Sequence, residues 1–197
     1  MSELLNMMTI ALYAALLQNV VLCGAYGITE AMRVAAKPQR IVRMSLFVLF
    51  FSVAGNAAAA ALNLVPEIRS ANNTVHLVLY TGVIFVLYFI TVLVFKVGFK
   101  ATHSFLRQIG AAAFNTLVIP LPLLSYRAAY TITESIGAGI GTGVAFFVAT
   151  VLLSFGMSRI AQSRRMPASF RGIPALLLYT ALLSLAFMGF SGESLIV

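Results

Sequence analysis

Four polar residues inside or beside apolar runs are the candidates for chemistry in this sequence. Asn19, Asn56 and Asn115 each stand within a long apolar stretch, and Glu30 follows shortly after the first of these stretches. A polar group surrounded by hydrocarbon is costly unless it meets a partner, so such residues tend to face a cavity, an ion or another helix. Hydrogen bonds between helices are the more common explanation of such asparagines, and a solvated loop explains Glu30 equally well.

The constellations of soluble enzymes are missing from the sequence. It contains no aspartate, and its two histidines, His76 and His103, fall at span edges or in a loop, where interfacial polar residues are common. It has no glycine-rich phosphate loop and no nucleophile elbow. The single cysteine, Cys23, excludes an internal disulfide and any site in which this chain alone supplies several thiolates. We predict no catalytic residue and no metal ligand in the chain, and leave open whether it belongs to a larger enzyme.

The apolar runs that position these residues define the class of protein. Hydrophobic residues make up 61% of the chain and charged residues 9%, with a mean hydropathy of +1.00, whereas a soluble domain carries roughly a quarter charged residues. The sequence therefore predicts an all-α integral membrane protein, with one membrane domain over residues 1–197 and six transmembrane helices in a lipid bilayer. The predicted spans are about residues 5–27, 43–64, 75–97, 108–127, 137–158 and 173–191.

Basic residues indicate the orientation of these spans. The formal net charge is +8, but the cations flank the apolar runs, which favours a role in topology and not nucleic-acid binding. Because the first, third and fifth loops hold nearly all of them, we predict that these loops are cytoplasmic and that both termini are extracytoplasmic. The alternative role for a minority of the cations is to dock soluble partners or anionic lipid. The three basic loops contain Arg33, Lys37, Arg40 and Arg43; Lys96, Lys100 and Arg107; and Arg159, Arg164, Arg165 and Arg171, against Arg69 and Arg127 in the other two.

The two halves of the chain share a plan. Each opens with an asparagine-bearing span that is interrupted, by Gly24 and Gly27 at the end of the first span and by Pro120 and Pro122 in the fourth. Because each half has three spans, the halves would lie in opposite orientations, as an inverted-topology repeat. Matched interruptions point to a site near the midplane, although a simple proline kink explains the fourth span equally well. The predicted half-repeats are about residues 1–97 and 98–197.

Small residues in the second and fifth spans predict close contacts between helices. A glycine precedes Asn56 and an alanine run in the second span, and glycines alternate along the fifth. Alternate glycines inside an apolar span give a phosphate no wet approach, so we interpret them as a packing surface and not as a nucleotide loop. The predicted packing residues are Gly55, Gly137, Gly139, Gly141 and Gly143.

Two specific strings near the carboxyl end resemble a known family. They are PASFRG at 167–172 and SLAFMGFSG at 184–192. They closely resemble the A subunit of the Rnf electron-transport complex, in a family that also includes the E subunit of the sodium-pumping quinone reductase Nqr. The similarity extends along essentially the whole chain, including the regions around Asn19 and Asn115.

The resemblance implies a membrane subunit with a 3+3 inverted repeat and interrupted first and fourth helices. It implies pairing with a paralogous membrane subunit of opposite topology, together with further subunits that include flavin-bearing ones. Such a complex would couple electron transfer to Na⁺ or H⁺ translocation across a bacterial or archaeal cytoplasmic (inner) membrane.

The same resemblance exposes a departure at the interrupted helices. In the family each of these helices presents a cysteine, in a Gly-Leu-Cys-Pro type string and a Thr-Asn-Cys string, and two such subunits share an intramembrane iron–sulfur cluster. The matching strings here are GITE at 27–30 and FNT at 114–116, so that Thr29 and Thr116 replace both cysteines. Cys23 lies six residues before Thr29, more than a turn and a half of helix away, and does not replace the missing ligand.

The departure bears on cofactors. Threonine hydroxyls are poor ligands for a cluster that is normally bound by thiolates. We therefore predict no cofactor bound by this chain, and place flavin or a 2Fe-2S cluster in partner subunits.

Two functions follow as hypotheses. The first is a membrane subunit of an Rnf/Nqr-like ion-translocating oxidoreductase complex, in which the half-repeat interface lies on an ion or electron path and Glu30 is a candidate ion or proton ligand. The second is a standalone small ion or solute transporter, or channel subunit, with the same fold. A purely structural role in assembly is a third possibility. The predicted residues of the half-repeat interface are Asn19, Thr29, Glu30, Asn115 and Thr116.

Overall fold

The computed structural model describes residues 2–162, 167–170 and 172–191. Within these ranges every regular element is helical and there is no strand. Three cations of the predicted fifth loop, Arg164, Arg165 and Arg171, lie outside the described residues, as does the end of the 184–192 string. The helices are α1 Ser2–Leu12, continued by a π-helical turn at Tyr13–Leu17, α2 Ile28–Ala35, α3 Ile41–Leu62, α4 Pro66–Arg69, α5 Asn73–Val97, α6 His103–Ala113, α7 Leu121–Arg127, α8 Ile132–Gln162 and α9 Ile173–Ser191.

Three of the described helices are long and apolar enough to cross a membrane. They are α3, α5 and α8, with 22, 25 and 31 residues. At 1.5 Å per residue the shortest of them is about 33 Å long, which matches the roughly 30 Å of a bilayer's hydrocarbon core. Two shorter apolar helical stretches run over Glu3–Leu17 and Ile173–Gly189. The all-helical membrane class is thus confirmed, whereas the count of six crossings stays a prediction.

The first predicted span is interrupted earlier than the sequence suggests. Its helix ends at Leu17, and irregular turns follow before α2 begins at Ile28. The sequence predicts instead that Gly24 and Gly27 loosen only the end of a helix reaching residue 27. The helix stops sooner because Asn19 binds the main-chain N–H groups of Val21 and Leu22 with its own side chain, an alternative to helical hydrogen bonding that asparagine offers readily.

The fourth predicted span is also interrupted, and its prolines have a different role from the one expected. Helix α6 ends at Ala113, and turns occupy the chain until α7 begins at Leu121. Pro120 and Pro122 stand at the N-cap and in the first turn of α7. Proline fits there because the first N–H groups of a helix have no intrahelical partner. The prolines therefore start the second helix and do not kink the first one.

Helices α3 and α8 form the centre of the molecule and pack against each other more extensively than any other described pair. Helices α1 and α2 pack on α8, whereas α6 and α7 pack on α3. The helices on either side of an interruption form an interrupted pair. The pair α1 and α2 of the first half thus lies against α8 of the second half, and the pair α6 and α7 of the second half lies against α3 of the first. Helix α5 covers α3 and α6 from outside, and α9 covers α8.

The peripheral helices present an apolar surface to the surroundings. Only 11% of the apolar window of α5 is buried, against 61% of that of α8. Exposed large side chains on α5 include Val78, Phe89 and Val97, and Leu182 on α9 is similarly exposed. A surface of this kind is stable in lipid or against another membrane helix.

The glycines of α8 lie where neighbouring helices approach most closely. A Cβ at Gly137 or Gly141 would stand 2.5 Å from a main-chain carbonyl oxygen of α1, that of Met7 or Ala11. Gly139 and Gly143 face α3 instead, and a Cβ at Gly139 would lie 2.7 Å from the Cα of Val53. Gly137 and Gly141 thus form one glycine stripe that packs against α1, and Gly139 and Gly143 form a second stripe that packs against α3. Gly55 is less confined, with the Ile84 side chain 3.4 Å from the position of its Cβ.

Candidate site at the two helix interruptions

The first interruption is organised by Asn19, which is fully buried. Its Oδ1 accepts hydrogen bonds of 3.1 Å from the N–H groups of Val21 and Leu22. Its Nδ2 donates to the carbonyl oxygens of Ala15 and, on α8, Ala145, both at 3.3 Å. One side chain thus holds the turn in shape and ties it to the central helix of the other half.

The second interruption repeats this turn around Asn115. Its Oδ1 accepts from the N–H of Leu117 at 3.1 Å, as that of Asn19 does from the residue two positions on. Its carbonyl oxygen accepts from the N–H groups of Val118 and Ile119, three and four positions on, and the carbonyl of Asn19 does the same in its own turn. The buried Nδ2 of Asn115, in contrast, meets no hydrogen-bond partner among the described residues.

The two interruptions touch each other. The N–H of Gly27 donates to Oγ1 of Thr116 at 3.0 Å, across a separation of 89 residues. Gly27 has a φ of 72°, and a Cβ on it would lie 2.8 Å from Oδ1 of Asn115 and 2.9 Å from Cβ of Leu117. Both the left-handed backbone and the close approach require glycine.

The five predicted interface residues do not form one cluster. Asn115 and Thr116 meet Gly27, whereas Asn19 is directed to α8. Thr29 is exposed on the first turn of α2. The predicted set of interface residues omitted Gly27, which the sequence indicated only as a residue that loosens the end of the first span.

Glu30 is not a solvated loop carboxylate. It lies in the first turn of α2, its side chain is 16% exposed, and its Oε2 forms a 2.9 Å ion pair with Nη1 of Arg33. It also lines a cleft between α2, α3 and α6.

A polar cavity of about 480 Å³ is lined by Arg69 and Arg127, which belong to the second and fourth loops. We call it the Asn56 cavity. Asn56 donates from Nδ2 to Oγ of Ser125 at 2.9 Å and to the carbonyl oxygen of Ser135 at 2.6 Å. Its buried Oδ1 has no hydrogen-bond partner among the described residues.

A second cavity of about 340 Å³ adjoins the Asn56 cavity, since Ser125 and Tyr130 line both. It reaches Gln18 and Cys23 in the first interruption. Burial, and next the negative charge of Glu134, raise the pKa of Tyr130, which keeps this phenol neutral and able to donate a hydrogen bond. Polar groups therefore run from the loops that carry Arg69 and Arg127 to the first interruption.

His76 is an unexpected buried residue beside these cavities. We expected an interfacial side chain at the start of a span, but it is fully buried and stacked on Tyr126 at 4.1 Å between ring centroids. Neither ring nitrogen meets a hydrogen-bond partner in the part of the chain that the structure describes. The apolar faces of two tyrosines, Tyr126 and Tyr80, account for its burial.

The donor groups at the interruptions do not fit a thiolate-bound iron–sulfur cluster. Thr29 and Thr116 offer hydroxyls, and Oγ1 of Thr116 already accepts the hydrogen bond from Gly27. Cys23 is half-buried at the second cavity and is the only cysteine. Among the described residues no three His, Cys, Asp or Glu side chains come together. Iron in such clusters is held by several cysteine thiolates, or by cysteines with histidines.

These features define an α-helical membrane protein in which two interrupted helices meet between cavities. Comparison with known sequences then gives the family, since the model of the Rnf-Nqr family, described as "Rnf-Nqr subunit, membrane protein", matches residues 7–193. The chain belongs to the Rnf-Nqr family, as the two carboxyl-terminal strings indicated.

Three similar curated relatives share one name. A protein of Aromatoleum aromaticum is 31% identical in an alignment of 193 positions that covers 92% of this chain and 94% of the relative. One of Rhodobacter capsulatus is 30% identical over 95% of this chain and 97% of its own length. One of Pasteurella multocida is 28% identical over 90% and 93%. Each carries the name of the A subunit of an ion-translocating oxidoreductase complex.

Proposed function

We propose that this chain is a membrane subunit of an Rnf/Nqr-like complex that couples electron transfer to Na⁺ or H⁺ translocation, and that the meeting of its two interruptions forms part of the ion path. The observation that carries the proposal is the hydrogen bond from Gly27 to Thr116, which joins the two unwound segments. Unwound backbone inside a membrane bundle is tolerated where it is buried in protein or lines a cavity, and it supplies polar groups that can replace an ion's water.

The packing supports a six-span inverted repeat with halves 1–97 and 98–197. Each half contributes an interrupted pair, a central helix and a peripheral helix, and each interrupted pair packs on the central helix of the other half. The matching turns at Asn19 and Asn115 favour the same plan, because equivalent positions make equivalent hydrogen bonds. Three spans per half imply opposite orientations of the halves.

The positions of the cations support the proposed orientation. Lys37 and Arg40 of the first loop and Arg107 of the third line one cleft, whereas Arg69 and Arg127 line the Asn56 cavity. We assign the cleft to the cytoplasmic side and the termini to the extracytoplasmic side of a bacterial cytoplasmic membrane, since cytoplasmic loops carry the excess of lysine and arginine.

The proposed partners supply what this chain lacks. The relatives are named as subunits of a complex, and the donor set at Thr29 and Thr116 does not suit a cluster. We therefore propose a paralogous membrane subunit of opposite topology and flavin-bearing subunits, with flavin or 2Fe-2S groups held by those partners. This chain's own contribution is to position Glu30, Thr116 and the two turns along the ion path.

Affinity purification of the full chain from its native membrane tests this function. We expect co-purifying membrane subunits, flavin or iron–sulfur absorption, and electron transfer coupled to ion uptake by vesicles. In that complex Glu30→Gln and Thr116→Ala should lower ion uptake per electron, while Gly82→Ala, a change into open space on α5, serves as the control. Unchanged coupling in both variants would instead indicate a purely structural role in assembly.

A second function, a standalone ion or solute transporter with this fold, is favoured by the replacement of both cysteines with Thr29 and Thr116. A colourless homo-oligomer that moves an ion or solute in liposomes without an electron donor would support it. Chromophore-bearing partners that remain bound through purification would argue against it.

A further inference from the structure

We propose that the cleft between α2, α3 and α6 is a binding site for a phosphate group, of the kind carried by an anionic lipid headgroup or by free phosphate. We call it the Arg107 cleft. Its volume is about 550 Å³, much larger than a bare phosphate ion. Polar residues on its walls are Glu30, Arg33, Lys37, Arg40, His103, Ser104, Arg107 and Gln108, and Val34, Met44 and Ala111 provide apolar surface.

Charge is the first argument for an anion. Four cationic side chains line the cleft against one carboxylate, and that carboxylate, Glu30, is already paired with Arg33 at 2.9 Å. No carboxylate among the described residues lies within ion-pair distance of Lys37, Arg40 or Arg107. Like charges gathered around one cavity repel each other, and a bound anion would relieve that repulsion. Arginine is the side chain best suited to hold phosphate oxygens bidentately.

The start of α6 is the second argument. This helix of 11 residues begins at His103, and its N-cap, Thr102, makes no side-chain capping hydrogen bond. His103 and Ser104 line the cleft. The first N–H groups of a helix have no intrahelical acceptor and carry the positive end of the helix dipole, so the cleft adds main-chain donors to its cations.

Gln108 adds a polar side chain to the same wall of the cleft. Its Nε2 donates to the carbonyl oxygen of Ser104 at 3.3 Å, one turn earlier on α6. A volume much larger than a bare phosphate leaves room for a group attached to it, as in a phosphodiester headgroup.

The location of the cleft favours a lipid as the source of the phosphate. Its cations belong to loops that we assign to the cytoplasmic side and adjoin apolar helices, and basic clusters in such places attract anionic headgroups. Free phosphate has the same anionic chemistry, so the experiment includes both sources.

The test measures binding by the purified full chain in neutral detergent at fixed ionic strength. The probes are phosphatidylglycerol in mixed micelles, phosphatidylcholine in the same micelles, and inorganic phosphate. We expect phosphatidylglycerol to bind and the double variant Arg40→Gln/Arg107→Gln to weaken binding at least tenfold. Arg159→Gln, which removes an exposed cation outside the cleft, is the matched control and should change binding less than twofold.

A gain-of-binding variant guards against loss of fold. Glu30→Gln removes the one carboxylate of the cleft and frees Arg33, so phosphatidylglycerol should bind several-fold more tightly. Competition by millimolar inorganic phosphate would identify the free ion as a sufficient ligand, and its failure would identify the lipid. The site is overturned if neither phosphatidylglycerol nor phosphate binds, or if Arg159→Gln weakens binding as much as the double variant.

Discussion

At the scale of single residues, Asn19 and Asn115 make the same turn with different numbers of partners. Asn19 has four hydrogen bonds through its side chain, including one to Ala145 on α8. Asn115 has one, to the N–H of Leu117, and a buried Nδ2 that is unpaired among the described residues. An orphaned amide adjoining the contact between the interruptions is the less stable arrangement, and such groups often mark functional sites.

This asymmetry predicts unequal effects of truncation. Asn19→Ala should lower the free energy of unfolding by about 1–3 kcal/mol, because it leaves the buried N–H of Val21 without its acceptor and removes the hydrogen bond that ties the turn to Ala145 on α8. Asn115→Ala should lower the free energy of unfolding by less, because it removes only the hydrogen bond from Leu117 and also removes a buried Nδ2 that has no acceptor among the described residues. Thermal unfolding in detergent measures both variants. Equal losses of stability would mean that the Nδ2 of Asn115 has a hydrogen-bond partner in the purified protein.

Gly27 allows a test that separates backbone strain from contact. Gly27→Ala adds a Cβ at a φ of 72° and 2.8 Å from Asn115, whereas Gly172→Ala adds one at a φ of 86° with nothing within 4 Å. Both changes impose a left-handed alanine, which costs about 1–2 kcal/mol. Only Gly27→Ala should also disturb the contact between the interruptions, and it should therefore show the larger drop in thermal midpoint. A drop no larger than that of Gly172→Ala would show that the two interruptions separate easily.

At the scale of elements, α8 is the helix on which both halves depend. One glycine stripe admits α1 and the other admits α3, so a single helix positions the first interruption and the central crossing together. Without a hydrophobic driving force between helices in lipid, close approach and dispersion contacts carry most of this association.

The stripes predict a strong effect from a single methyl group. In Gly141→Ala the new Cβ would meet the carbonyl oxygen of Ala11, which belongs to main chain and cannot move aside. We expect a loss of about 1–3 kcal/mol from overpacking, read as a lower thermal midpoint. Gly82→Ala, with open space around it, should keep the midpoint or raise it slightly, because alanine has the better helix propensity.

At the scale of the whole molecule, the placement of cations separates the two sides of the bundle. The first and third loops supply the Arg107 cleft, and the second and fourth supply Arg69 and Arg127 to the Asn56 cavity. Two different chemical environments therefore flank the interruptions, one strongly basic and one mostly neutral and polar.

Cysteine labelling tests the proposed orientation. On a Cys23→Ala background, Lys37→Cys should react with an impermeant maleimide only in inside-out vesicles, and Arg69→Cys only in right-side-out vesicles. Both positions are exposed. The reverse pattern would place the Arg107 cleft outside the cell.

The amino-acid sequence by itself determined the class, the family and the long apolar helices. Apolar content and run length need no tertiary information, because lipid replaces the folded core, and helices α3, α5, α8 and α9 begin and end within a few residues of the predicted limits, apart from an earlier start of α8. The strings at 167–172 and 184–192 were specific enough to indicate the Rnf-Nqr family. The equivalent positions of Asn19 and Asn115 in the two halves were also evident from the sequence.

Only the tertiary structure decided where the helices break and what the breaks contact. Gly27 meets Thr116 across 89 residues, and such a contact depends on how α2 and α6 lie across α8 and α3 and not on local sequence. The same holds for the burial of His76 and for the cations of two distant loops that share the Arg107 cleft. Local composition fixes which segments leave water, but the packing of distant segments decides which polar groups meet.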